Sequence, residues 1–149
     1  MALNTASEVI SFARKLEETG AQFYEDLARL YDNDTETLLS FAGMNRKSII
    51  QIERTYYGVI SDALEGGFAF EIEEDLYTLP AEPPGKTGYR EGLNRAVEIE
   101  RKIKRFYEDA AGQSKPLMAD VPRAFSLAAR KRESRIATLE SLIENSGQP

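Results

Sequence analysis

The sequence predicts an all-α fold: a four-helix bundle in one domain spanning residues 1–149. Three observations predict it. Apolar residues recur at three- and four-residue spacing in four separate segments. Alternating, strand-like patterning is nearly absent. A phrase also repeats, with FYEDLA at 23–28 returning as FYEDAA at 106–111. The length suits one core, and a chain 42% hydrophobic and 30% charged is expected to fold.

The first helix opens at Thr5, where Glu8 three residues on makes a capping-box pattern. Its stripe is Val9, Phe12, Leu16, Phe23, Leu27 and Leu30, and it stops at the turn-like DND of 32–34. The second runs from about Thr35 to Leu64 and ends at Gly66–Gly67. Its stripe is Leu38, Phe41, Ile49, Ile52, Tyr56, Val59 and Ala63. The third begins near Tyr89, carries Leu93, Ala96, Ile103, Tyr107 and Ala110, and ends at Gly112. The fourth starts after Asp120, a good N-cap, with Pro122 in its first turn. It continues through Phe125, Ala128, Ile136, Leu139 and Ile143 to about Asn145.

The one strand-like piece is GFAFEI at 67–72, inside a long connection, 66–88. The acids around it, Glu71, Glu73, Glu74 and Asp75, read as a solvated face. The other two connections are shorter. Two helical hairpins joined by a crossover fit this pattern, because a crossover that runs the length of a bundle needs a long link.

Composition removes several function classes. There is no Cys, hence no disulfide framework or thiolate nucleophile. There is no His, which removes the commonest metal ligand and the side chain best placed to move protons near neutral pH. A net charge of −6 argues against general nucleic-acid binding. The N-terminus lacks the features of a signal peptide, and no apolar run is long enough to span a bilayer. A cytoplasmic protein with no membrane contact is the expectation. No phosphate-binding Gly loop or nucleophile elbow is visible.

The repeat reaches beyond FYED. At an offset of 83, Glu17, Phe23, Tyr24, Glu25, Asp26 and Ala28 fall on Glu100, Phe106, Tyr107, Glu108, Asp109 and Ala111. At an offset of 87, Leu38, Ala42, Ile49, Ile52 and Glu53 fall on Phe125, Ala129, Ile136, Leu139 and Glu140. An offset of 86 aligns Ser48 with Ser134 instead. The offset of 87 superposes the apolar stripes and is preferred.

A duplicated hairpin with Glu, then Tyr seven residues later, on helices 1 and 3 resembles the ferritin-like superfamily. The phrases LEETGAQFYEDLA and VEIERKIKRFYEDAA are similar to the rubrerythrin branch in particular. The resemblance covers about Glu8 to Leu142. It implies a ferritin-like bundle of two hairpins and, in the family, a di-iron oxidoreductase site. That site takes one Glu from each of two helices and Glu-x-x-His from each of the other two.

Glu17 and Glu100 match the single-Glu positions. The Glu-x-x-His slot of helix 2 holds Asn45 and Ser48. That of helix 4 holds Arg132 and Arg135, or Lys131 and Ser134 in the other register. Tyr24 and Tyr107 adjoin the site, and are more simply core aromatics with bonded hydroxyls than redox groups. Two facing buried carboxylates cannot both ionise cheaply, and in the family metals solve this. Here the expectation is that Arg132, with Arg135, replaces the metals, while Asn45 and Ser48 satisfy remaining lone pairs. The plain alternatives are that Glu17 and Glu100 are surface acids and that RKRESR at 130–135 is a solvated face.

No catalytic residue, metal or cofactor is expected, and the leading role is structural, regulatory or binding. One alternative is a di-iron or other divalent-metal protein using Glu17 and Glu100 with Glu98, Glu53 or Glu133. Another is an oligomeric scaffold that uses the aromatic link at 68–79 as its contact surface, with Phe68 and Phe70 central to it. A homodimer or higher homo-oligomer is expected, and no further protein or small-molecule partner is identified.

Overall fold

A computed structural model describes residues 2–59, 70–80, 88–114 and 120–146. The described chain forms β1 (Ala2–Leu3), α1 (Ala6–Leu30), α2 (Thr35–Val59), β2 (Ile72–Glu73), a 3-10 turn (Glu74–Tyr77), α3 (Tyr89–Gln113) and α4 (Asp120–Ser146). The four helices pack as a bundle. α1 lies most extensively against α2, and α3 against α4.

Each helix begins where local chemistry allows. The Thr5 hydroxyl accepts from the Glu8 amide at 3.0 Å, and the Glu8 carboxylate accepts from the Thr5 amide at 3.0 Å. The capping box is therefore complete and satisfies amides that the first turn leaves without partners. α1 ends at Leu30, where the Tyr31 amide still donates to the Leu27 carbonyl. α3 is entered through Gly88 at φ 100°, a left-handed conformation that glycine alone adopts without strain. α4 includes Asp120 within its first turn, one residue earlier than the N-cap reading, and α3 runs one residue past Gly112. The expected end of helix 2 at Leu64 and Gly66–Gly67 lies outside the described residues, as do Phe68, Ala63 and the side chains of Tyr56 and Val59.

The stripes point inward. Val9, Phe12, Leu16, Phe23 and Leu27 of α1 are buried, as are Leu38, Phe41, Ile49 and Ile52 of α2. So are Leu93, Ala96, Ile103, Tyr107 and Ala110 of α3 and Phe125, Ala128 and Leu139 of α4. Leu30 departs from the expected stripe: at the last position of α1 it is 48% exposed.

The connection before α3 also departs from expectation. Ile72–Glu73 pairs antiparallel with Ala2–Leu3, and the Phe70 amide donates to the Asn4 carbonyl at 2.6 Å. The described part of the alternating stretch is thus fastened to the start of the chain. Phe70, Ile72 and Tyr77 are buried. Phe70 is therefore not part of an outward contact surface, which corrects that expectation for the link. The Tyr77 ring meets Phe106 at 5.4 Å and Phe12 at 6.4 Å between centroids, so the link packs across α1 and α3. At the other end, Tyr89 donates to Asp34 at 2.6 Å and ties the start of α3 to the α1–α2 turn.

Candidate functional site

Polar side chains are rare in this core, and those present are concentrated in one network. Glu17, Asn45, Glu100, Arg132 and Arg135 are all buried, the last at 5% exposure. They come from all four helices, one each from α1, α2 and α3 and two from α4. Helical periodicity puts them there: Arg132 shares the inward stripe of Phe125, Ala128 and Leu139, and Arg135 follows one turn later.

Arg132 lies between the two carboxylates. Its Nη2 donates to Oε2 of Glu17, and its Nη1 donates to Oε1 of Glu100 at 3.0 Å. Arg135 Nη1 donates to the other Glu100 oxygen at 3.1 Å. Asn45 Oδ1 accepts from both arginines, and its Nδ2 donates to the Glu17 carbonyl at 3.1 Å. Asn45 thus holds the guanidiniums and donates to no carboxylate side chain, which corrects the expectation that it satisfies their remaining lone pairs. Ser48 is buried one turn further along α2 and makes no hydrogen bond to the network among the described residues. The Arg135 guanidinium also stacks over Phe41, 5.3 Å from the ring centroid.

The two tyrosines cross over. Tyr24 donates to Glu100 Oε2 at 2.6 Å, and Tyr107 donates to Glu17 Oε2 at 2.5 Å. Each Tyr serves the Glu of the other repeat, not the Glu seven residues before it. Periodicity within one helix could show that Glu and Tyr share a face. It could not show which helix faces them.

The charges balance: two glutamates against two arginines. Burial alone would push the Glu100 carboxyl up. Arg132 and Arg135, with the Tyr24 hydroxyl, more than offset it and hold the group below the ordinary carboxylate range. Burial opposes the charge on Arg132, but Glu100 and Glu17 hold its guanidinium above its ordinary value. Burial drives both Tyr24 and Tyr107 well above the usual phenol range, and the facing carboxylate adds to it. Glu100, Arg132, Tyr24 and Tyr107 are thereby each fixed in one protonation state across neutral pH. Glu17 Oε1 and Arg135 Nε are buried with no hydrogen-bond partner among the described residues.

The remaining sequence candidates lie elsewhere. Lys131 and Ser134 are exposed, and Lys131 donates to Gln51. Glu53 pairs with Arg14 on the α1–α2 seam, and Glu133 pairs with Lys104. Glu98 is exposed. None of the three reaches the network. Among the described residues no cluster of three or more acidic side chains could hold a metal ion, and no helix is long and apolar enough to cross a membrane.

Sequence reasoning missed Gly20. A Cβ there would lie 2.6 Å from Asn45 Nδ2, so glycine makes the space that Asn45 occupies. A mid-helix glycine facing the stripe was the available signal. Compared with known proteins, the chain matches no family model, no curated protein and no solved structure.

Proposed function

We propose that this chain is a ferritin-like, rubrerythrin-related bundle in which an arginine–glutamate network stands in place of a di-iron centre. Its role is structural, regulatory or binding, and it is not an oxidoreductase. One observation carries this: the Arg132 guanidinium occupies the space between Glu17 and Glu100 and engages both.

The residues present do not fit a pair of irons. Both oxygens of Glu100 and one of Glu17 already accept from guanidinium groups. Guanidinium nitrogens offer no lone pair to a metal, and two fixed cations would repel a divalent ion. Asn45 Oδ1, a neutral oxygen beside them, is likewise taken by both arginines.

Helix directions support the ferritin-like arrangement. Arg14–Glu53 and Arg46–Glu25 run α1 against α2 in opposite directions. Tyr24–Glu100 and Tyr107–Glu17 do the same for α1 and α3, and Arg101–Glu140 with Lys104–Glu133 for α3 and α4. α2 and α3 are then parallel, which requires the connection between them to travel the length of the bundle.

Metal analysis of protein expressed aerobically with added iron tests the proposal. The expected result is iron far below one atom per chain, unchanged by Glu17→Ala. Near-stoichiometric iron that disappears in Glu17→Ala would overturn it.

A further inference from the structure

We infer that the outward face of α2 is a twofold interface on which a second copy of this chain docks, antiparallel, α2 against α2. This inference does not depend on what replaced the metals.

Three features of α2 have no explanation among the described residues. Leu39 and Ile50 are 46% and 50% exposed. They lie eleven positions apart, three helical turns, and so share one stripe of the helix surface. Gly43 lies between them on that stripe, in the middle of a 25-residue helix. A Cβ at Gly43 would meet nothing within 4 Å, whereas the Cβ of Gly20 would collide with Asn45. Gly20 is thus required by a neighbour inside the bundle. Gly43 weakens its helix for no neighbour among the described residues, and a close-approaching surface from outside supplies the reason.

Charge identifies that surface. Glu36 and Arg54 lie on the same outward side and are both exposed, with no ion pair among the described residues. Other charges along the seam with α1 are paired, Arg46 with Glu25 and Glu53 with Arg14. Glu36 and Arg54 have their midpoint at position 45, and Leu39 and Ile50 at 44.5, so the two midpoints differ by under about 1 Å along the helix at its usual rise. One twofold axis crossing α2 there brings Glu36 opposite Arg54 of the second copy and Leu39 opposite Ile50 of the second copy, each twice. Gly43 then lies within about 3 Å of the axis along the helix, close to where the two backbones come nearest. These four positions are self-complementary, as an isologous contact must be.

Sedimentation velocity on the full chain across micromolar concentrations tests this, with circular dichroism to confirm that every variant keeps its helix content. Wild type is expected at twice the chain mass of 16.7 kDa. Ile50→Glu, which removes an exposed side chain and leaves the core untouched, is expected to raise the dimer Kd by about tenfold or more. Glu36→Arg alone and Arg54→Glu alone are each expected to weaken the dimer, and the double swap E36R/R54E to restore it, because the axis makes the two positions face each other. A monomeric wild type would give this face to a partner of another sequence and overturn the proposal. A dimer indifferent to Ile50→Glu, or weakened further by the double swap, would place the interface elsewhere and overturn it equally.

Discussion

The Tyr24 hydroxyl on α1 is 2.6 Å from Glu100 Oε2 on α3, and this bond is the mirror of the one from Tyr107 to Glu17. The duplicated phrase is thus knitted crosswise, with each copy capping the carboxylate of the other. The two bonds are not equivalent in consequence. Glu100 keeps two arginines when its tyrosine is removed, whereas Glu17 keeps only Arg132. Both Tyr24→Phe and Tyr107→Phe are expected to destabilise by about 1.5–3 kcal/mol, since each deletes a hydrogen bond to a charged group. Tyr107→Phe is expected to be the costlier. Urea unfolding of the two variants side by side checks the order.

Among the described residues, Arg132 alone engages both carboxylates. Arg132→Met keeps the volume and removes the charge, leaving two buried acids to share Arg135. A loss of about 3–5 kcal/mol is expected, as for one half of a buried ion pair. Adding Glu17→Gln to that variant removes one of the stranded charges and is expected to recover part of the loss. A double-mutant cycle measures the coupling, and strictly additive costs would contradict the bridge.

Acid is expected to loosen the fold in a defined window. The folded Glu100 titrates below the ordinary carboxylate range, so the unfolded chain takes up its proton first. Its contribution is complete above the unfolded value of about 4.3 and is lost as pH falls through the lower, folded value. The slope of unfolding free energy against pH below about 4.5 should therefore be steeper in wild type than in Glu100→Gln.

At the alkaline end the sign reverses. Burial raises Tyr24 and Tyr107, and also Tyr77 beside Asp109 and Tyr89 beside Asp34. A raised phenol stabilises the fold below its unfolded value near 10, and that contribution is lost as pH rises further. Spectrophotometric titration should show these four ionising together with unfolding, not before it.

The two glycines are expected to respond with opposite signs. Gly20→Ala drives a methyl into Asn45, whose amide is held by Glu17, Arg132 and Arg135 and cannot swing away freely. A net loss of about 1–3 kcal/mol is expected despite the gain in helix propensity. Gly43→Ala meets nothing among the described residues and is expected to stabilise the isolated monomer by about 0.5–1 kcal/mol. Thermal unfolding at low protein concentration separates the two.

Helical period carried much of this in the bare sequence. It placed Tyr107 and Arg132 on inward stripes, while the inward placing of Glu17, Tyr24 and Glu100 came from the family resemblance, and all five are buried. The capping box at Thr5 and the start of α3 at Tyr89 were legible because local chemistry alone fixes them. What period could not carry was direction. The cross-pairing of Tyr24 with Glu100 depends on α1 and α3 running opposite ways, a property of the assembled bundle. Nor could two residues, Ala2–Leu3, display the alternation that marks a strand, so the bridge to Ile72–Glu73 left no local trace. Asn45 was expected to serve the carboxylate side chains and instead anchors the arginines, because its Oδ1 points at two cations.

The network joins residues as far as 115 positions apart, and no two helices alone complete it. Such a contact must wait until most of the chain entropy has been surrendered, so it belongs to the last stage of folding and not to its nucleus. Substitutions at Glu17, Glu100 or Arg132 would then leave the folding rate nearly unchanged and act on escape from the native state. The arginine–glutamate centre serves as a latch, closing on a bundle already assembled and setting how long it stays shut.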